Sequence, residues 1–324
     1  MLNEGTRNKE QGKREKTCSL FLNPCSLKIG TRASRLALWQ AEFAAAQLKK
    51  FFPALEVEFV KVHTTGDKIL DAPLAKIGGK GLFTKELELQ LASGAIDLAV
   101  HSLKDVPTDL PDDFRISAIT RRAQPFDAFV SNRFATFDAL PRGSIVGTSS
   151  LRRAAQVLSL RPDLRIKNLR GNVETRLRKL DAGDFDAIIL AAAGLERLGY
   201  SARINELMTE LIPAAGQGAL AIETRADDDE TGQLVQRLND AETCAAVTVE
   251  REFLREVGGS CQVPVGVFAK VDGGQISVRA LIASTDGQRL VKAAETVPLA
   301  ALDGLGKKIA ARLLNSGGRE ILSS

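Results

Sequence analysis

From residue 27 onward, short apolar runs alternate with longer amphipathic ones, and at three of the junctions the same chemistry recurs. Leu27-Lys28-Ile29-Gly30 reads as a strand and Thr31-Arg32-Ala33-Ser34 as a turn. A helix follows with Leu36, Trp39, Phe43 and Ala46 at helical spacing, ended by Pro53. Ser144-Ile145-Val146-Gly147 leads through Thr148-Ser149-Ser150 into a helix carrying Arg152 and Arg153. Arg165 to Leu169 leads through Arg170-Gly171-Asn172 into a helix carrying Arg176 and Arg178. Strands separated by helices in this way imply an α/β fold with a mostly parallel sheet.

The three junctions also bear on function. A helix N-terminus exposes free N–H groups and a partial positive charge. A neighbouring arginine adds a bidentate fork for carboxylate or phosphate. In open α/β sheets such turns lie at the strand C-termini, where ligands bind. Three ordinary helix caps with solvated arginines would look the same. If the forks share one cleft, they suit a ligand with several carboxylates better than a single phosphate. Gly78-Gly79-Lys80-Gly81 lacks the full spacing of a phosphate-binding loop and reads as a cleft loop, where Lys76 and Lys80 could meet an anion.

Other elements follow from period and turn residues. Val57 to Val62 alternates as a strand, a helix runs from about Phe83 to Ala92, and Ile96 to Val100 is a buried strand ending in His101-Ser102-Leu103-Lys104-Asp105. Asp105 therefore sits at a strand end, either as a turn acid or as a carboxylate facing a cation in a reaction. His101 and His63 read as structural. Pro213 to Gly218 looks like a connection back to the first unit, followed by a strand from Ala219 to Glu223. A helix from Asp240 to Val257 precedes strands at Val265–Lys270, Ile276–Ala283 and Arg289–Ala294, whose turns at Asp272-Gly273-Gly274 and Asp286-Gly287 suit an antiparallel meander. A last helix is expected over 299–315, stopped by Gly317.

Composition narrows the classes. A chain of 324 residues, 44% hydrophobic, exceeds what one core usually serves. Net charge +4, one Tyr and one Trp give little support to a nucleic-acid binder. Four cysteines and two histidines show no metal spacing, so no metal is expected, and no disulfide framework either, which fits a reducing cytoplasm. Ala187 to Leu195 is the longest apolar run and too short for a bilayer. Residues 1–25, polar and of mixed charge, read as a disordered extension without a secretory signal. Cys261 lies in Gly258-Gly259-Ser260-Cys261-Gln262-Val263-Pro264, either a small structural thiol or a covalent attachment point.

Taken in order, the segments Thr31 to Ala37, Gly78 to Phe83, Val100 to Pro107, Gly147 to Arg153, Leu169 to Asn172, Pro213 to Gly218 and Gly259 to Pro264 closely resemble the porphobilinogen deaminase (hydroxymethylbilane synthase) family. The resemblance runs from about Leu27 to the C-terminus. It implies three domains, the first two like the lobes of type II periplasmic binding proteins and the third a small antiparallel sheet with helices. The boundaries expected are 26–122 plus 219–237, 123–213 and 240–324. It implies a transferase that joins four porphobilinogens head to tail with loss of ammonia, giving hydroxymethylbilane. The primer is a dipyrromethane cofactor bound by a thioether to Cys261. By the same resemblance Ser102, Lys104, Thr148, Ser150, Arg152 and Arg153 hold the cofactor, and Arg32, Ser34, Arg170 and Arg176 hold the incoming carboxylates. Asp105 stabilises the azafulvene cation left by ammonia loss. The expected protein is a cytoplasmic monomer with a small-molecule substrate and no nucleic-acid or membrane partner. One departure is Gln124-Pro125-Phe126-Asp127, where the family often has Asp-Pro-Arg-Asp. A cleft contact at position 126 is therefore in doubt, with Arg121 and Arg122 as candidates to compensate. A two-lobed binding protein without catalysis would explain the arginines, but not Cys261 or the third unit. A phosphate- or nucleotide-binding α/β enzyme is the other rival, and the incomplete glycine loop argues against it.

Overall fold

A computed structural model describes residues 26–64, 84–258 and 263–323. Cys261, Gly78 to Gly81 and residues 1–25 lie outside this range. In chain order the first elements are β1 (Ser26–Arg32), α1 (Arg35–Phe51), β2 (Glu56–Val62), α2 (Lys85–Ala92), β3 (Leu98–Ser102) and β4 (Phe114–Ile119). Next come β5 (Asp127–Val130), β6 (Ile145–Gly147), α3 (Leu151–Leu160), β7 (Arg165–Lys167), α4 (Val173–Asp181), β8 (Ala187–Ala191), α5 (Ala192–Arg197) and β9 (Glu206–Met208). The chain ends with β10 (Leu220–Arg225), α6 (Asp229–Val235), α7 (Ala241–Glu256), β11 (Val265–Asp272), β12 (Gln275–Ala283), β13 (Leu290–Pro298), α8 (Leu305–Leu313) and α9 (Arg319–Leu322).

Two five-stranded sheets share one plan. The first has the order β2-β1-β3-β10-β4 and the second β7-β6-β8-β5-β9. In the first, β1 is parallel to β2 and β3, while β10 is antiparallel to β3 and β4. In the second, β6 is parallel to β7 and β8, while β5 is antiparallel to β8 and β9. The mostly parallel sheet expected from the alternation is therefore broken once in each half. The reversed strand is in each case the one that receives the chain from the other sheet. The third sheet is the antiparallel meander β11-β12-β13. Gly273, Gly274 and Gly287 turn it with φ of +55°, +75° and +71°.

Helix α1 carries a correction. Its buried apolar residues are Ala37, Ala41, Ala44, Ala45 and Leu48, whereas Leu36, Trp39 and Phe43 of the spaced set are half-buried. Small side chains let the helix lie close on β1 and β3, with Leu27, Ile29 and Val100 in the same core. Ala46 is exposed, and Trp39 stacks at 5.3 Å on Phe43, which packs against the margin of this core. The C-terminal helix also differs. A 3-10 turn at Leu299–Ala301 and left-handed Gly304 delay α8 to Leu305, and Gly317 at φ +102° breaks it from α9. Gly306 lets α8 cross α7, because a Cβ there would stand 2.6 Å from Glu252 Cβ.

Two segments, 120–126 and 209–219, cross between the first two sheets and bond to each other. Ala123 N donates to Gly218 O at 3.1 Å, Gln217 Nε2 to Pro125 O at 2.7 Å, and Arg122 Nε to Gln217 O at 2.8 Å. Gly218 has φ +93°, and a Cβ there would meet Ala123 O at 2.7 Å, so only glycine fits this crossing. From α7 the fully buried Glu250 takes both Arg122 Nη atoms at 2.7 and 2.9 Å and the N–H groups of Gly216 and Ala269 at 2.7 Å each. The third sheet and its helix are thereby fastened to the crossing segments.

Candidate active site

The three helix starts are built alike. Ser34 Oγ accepts from Ala37 N, Ser150 Oγ from Arg153 N and Asn172 Oδ1 from Thr175 N, at 3.3, 3.4 and 2.8 Å. Each capping side chain thus satisfies one of the helix's orphan N–H groups. They are ordinary caps, and they also converge. Ser149 Oγ donates to Leu169 O, which joins the second start to the third.

Between the two five-stranded sheets lies a cleft of about 850 Å³. The described residues lining it include Arg32, Ser34, Ser102, Lys104, Asp105, Arg153, Arg170 and Arg176. Residues from both sheets' helix starts thus share one cavity, as a multi-carboxylate ligand requires. Arg178, Lys179 and Arg197 add further positive charge, against two carboxylates, Asp105 and Glu174, among the described lining residues. Arg170 Nη1 is buried and has no hydrogen-bond partner among the described residues. A buried donor left unpaired is costly unless a ligand oxygen meets it.

Like charges and burial tune these cations. Burial pushes the Lys104 ammonium down to about 8, with Asp105 opposing the shift and Arg153 adding to it. Burial pushes Arg176 down to about 10, helped by Arg153 and Arg170. Arg197 is likewise lowered to about 10 by burial. It donates to Gly218 O at 2.7 Å and lies 5.7 Å over the Trp39 ring, across the cleft from its own helix. A multi-anion ligand relieves this repulsion on binding.

Three expected contacts lie behind the wall. Thr148, Ser150 and Arg152 do not line the cleft. Arg152 is 5% exposed, and its Nη1 donates to Asp127 Oδ2 at 2.8 Å and to Ile212 O at 2.7 Å. Arg153 is 6% exposed and reaches the cleft while its Nε and Nη2 hold Asp127 Oδ1 at 3.0 and 2.7 Å. Burial alone would raise the Asp127 pKa, but the two guanidiniums override it and hold the carboxylate well below its usual range. Gln217 Nε2 completes the set at 2.9 Å from Asp127 Oδ1, and Lys104 Nζ donates to Gln217 Oε1 at 3.4 Å.

Several side chains have other places than expected. Phe126 lies outside the cleft, packing against Phe268 at 5.4 Å, with Arg279 5.9 Å from its ring centroid. Arg122 does not compensate for it in the cleft, since it is spent on Glu250. His101 is structural, buried with Nε2 2.8 Å from Glu223 Oε2, whereas His63 is exposed at the cleft edge. Gln40, Lys179, Arg197 and Gln217 were not singled out from sequence. Gln40 carried a signal, being a polar residue on the buried face of an amphipathic helix.

Comparison with known proteins bears on this cleft. The family model "Porphobilinogen deaminase, dipyromethane cofactor binding domain" matches residues 27–233, and "Porphobilinogen deaminase, C-terminal domain" matches 244–315. The chain belongs to the porphobilinogen deaminase family. Porphobilinogen deaminase of Chromobacterium violaceum is 52% identical over 298 residues, which is 91% of this chain and 96% of that one. The porphobilinogen deaminases of Ralstonia nicotianae (52%, 93% of this chain and 92% of that one) and Neisseria meningitidis serogroup A (49%, 94% and 98%) are similar over comparable lengths. Among solved structures, the methionine binding protein MetQ aligns over 71% of this chain and 96% of its own, at 17% identity and a TM-score of 0.45. A family named for its dipyrromethane site accounts for the surplus of cations.

Proposed function

We propose that this protein joins four porphobilinogen molecules head to tail, releasing one ammonia for each, to give hydroxymethylbilane. The observation that carries this reading is the exposed carboxylate of Asp105 set among the cations of one cleft. The cofactor, a dipyrromethane held by a thioether to Cys261, supplies when bound the free pyrrole α-carbon on which the chain grows.

The protein's part is binding, orientation and charge. Lys104, Ser102 and Arg153 hold cofactor carboxylates directly. Arg152, with Asp127, fixes Arg153 from behind, while Thr148 and Ser150 shape the turn that presents α3. Arg32, Ser34, Arg170 and Arg176 receive the acetate and propionate of the incoming ring. Asp105 faces the electron-poor ring that ammonia loss leaves and accepts from pyrrole N–H groups. A unit charge pair at about 4 Å and effective dielectric of about 20 is worth ~4 kcal/mol, enough to decide a rate.

Each sheet with its helices forms one domain, at 26–122 plus 219–237, 123–213 and 240–324. The protein works as a cytoplasmic monomer on a small molecule, with neither nucleic acid nor membrane as partner. Among the described residues no helix is long and apolar enough to cross a membrane. Intact mass of the purified protein tests the reading. The expected result is the bare chain plus one dipyrromethane, with the increment absent in Cys261→Ala. Active protein of unmodified mass would overturn it.

A further inference from the structure

A second cavity of about 60 Å³ adjoins the cleft at Asp105, between α1 and the end of β3. It shares Asp105, Ser102 and Gln40 with the cleft, and Thr84, His101 and Ala37 close its far side. The space is less than a tenth of the main cleft and has room for a few water-sized molecules. Its polar groups are held in place. Gln40 Nε2 donates to Ser102 Oγ at 2.9 Å, which leaves the serine hydrogen available as a donor. Glu223 fixes the His101 ring through a 2.8 Å contact, and Thr84 is fully buried.

We propose that this cavity is the leaving-group site, receiving the nitrogen expelled from each porphobilinogen as ammonia and holding it as ammonium. The inference rests on the function proposed above. In each cycle the C–N bond of the protonated aminomethyl group breaks and its electron pair leaves with nitrogen as NH3. The pyrrole ring keeps the positive charge, opposite Asp105. When the new C–C bond forms, the attacked α-carbon gives up its hydrogen as a proton, which converts NH3 to NH4+. Charge and atoms therefore balance with no further reactant. Neutral ammonia is not repelled by Arg32 at the cavity mouth. Once protonated, it faces the Asp105 carboxylate and the oxygens of Ser102 and Thr84. A lengthening chain fills the main cleft, so a small side cavity beside Asp105 keeps nitrogen's place apart from it at every stage.

The test uses the cofactor-loaded protein and 15N-ammonium at fixed pH and ionic strength. Line broadening of the ammonium signal reports binding without turnover, with methylammonium and tetramethylammonium as competitors. Expected are broadening by the wild-type protein, competition by methylammonium only, and at least a fivefold weaker effect in Ala37→Leu, which fills the cavity. Thr84→Val, isosteric and lacking the hydroxyl, should weaken it in the same direction and decides the matter if Ala37→Leu does not fold. Absence of broadening in the wild type, equal competition by tetramethylammonium, or unchanged broadening in a folded variant would overturn the site. Porphobilinogen consumption by the wild type is measured separately. Failure there strikes the function, whereas normal consumption without ammonium binding strikes only this cavity.

Discussion

At the scale of residues, charge placement governs the expected behaviour. Asp105→Asn keeps the shape of the side chain and removes its charge, so cofactor loading should persist by mass while kcat falls at least 100-fold. Near-normal kcat would reject the role given to Asp105. Lys104, lowered to about 8 from its ordinary 10.5, loses its proton in the free enzyme as pH rises through 8. Affinity for the cofactor's carboxylates should therefore decline above pH 8, and loading of cofactor-free protein, followed by intact mass, should fall off there in the wild type but not in Lys104→Arg. Arg152→Leu leaves Asp127 to Arg153 and Gln217 alone. Breaking a buried pair costs about 3–5 kcal/mol, so the melting temperature should drop sharply and cofactor loading with it. Sequence made Arg32, Lys104, Asp105, Arg170 and Arg176 legible as candidates because each stands at a strand end or helix start, and the resemblance to the family chose between a cleft and ordinary caps. Arg152 and Arg153 look alike in sequence. They differ because adjacent helix positions point about 100° apart, so one meets the cleft and the other Ile212 O.

Elements were legible where hydrophobic period and cap chemistry agreed. Strands β1, β2, β3, β6, β7, β8 and β10, helices α1, α3, α4 and α7, and the meander follow from such agreement. The buried face of α1 was not legible by size, since the alanines that pack on the sheet carry a weaker apolar signal than Trp39 and Phe43. Strands β4, β5 and β9 and helices α5 and α6 escaped notice because polar residues interrupt them or they are short. At the crossing of α8 on α7, Gly306→Ala inserts a methyl group where Val249 O and Glu252 Cβ already stand. Overpacking of this kind costs about 1–3 kcal/mol. Denaturant midpoints should fall accordingly, with the mass of the loaded protein unchanged. An unaltered midpoint would mean that the two helices separate easily.

At the scale of the whole molecule, Glu250 is the joint between the third unit and the crossing segments. Glu250→Gln leaves Arg122 buried beside a neutral amide, and the cost, about 3–5 kcal/mol, should appear as a lower melting temperature that Arg122→Met together with Glu250→Gln partly restores. The paired segments 120–126 and 209–219 carry a consequence of their own. Two straps, bonded side by side at Ala123–Gly218 and Pro125–Gln217, resist sliding and twisting of one lobe against the other more than they resist bending. The coordinate they restrain least is the opening angle between the lobes. A product that lengthens four times is then accommodated chiefly along that angle, so solution scattering from successively loaded forms should trace one monotonic path of widening, with every intermediate length read off as a position on it.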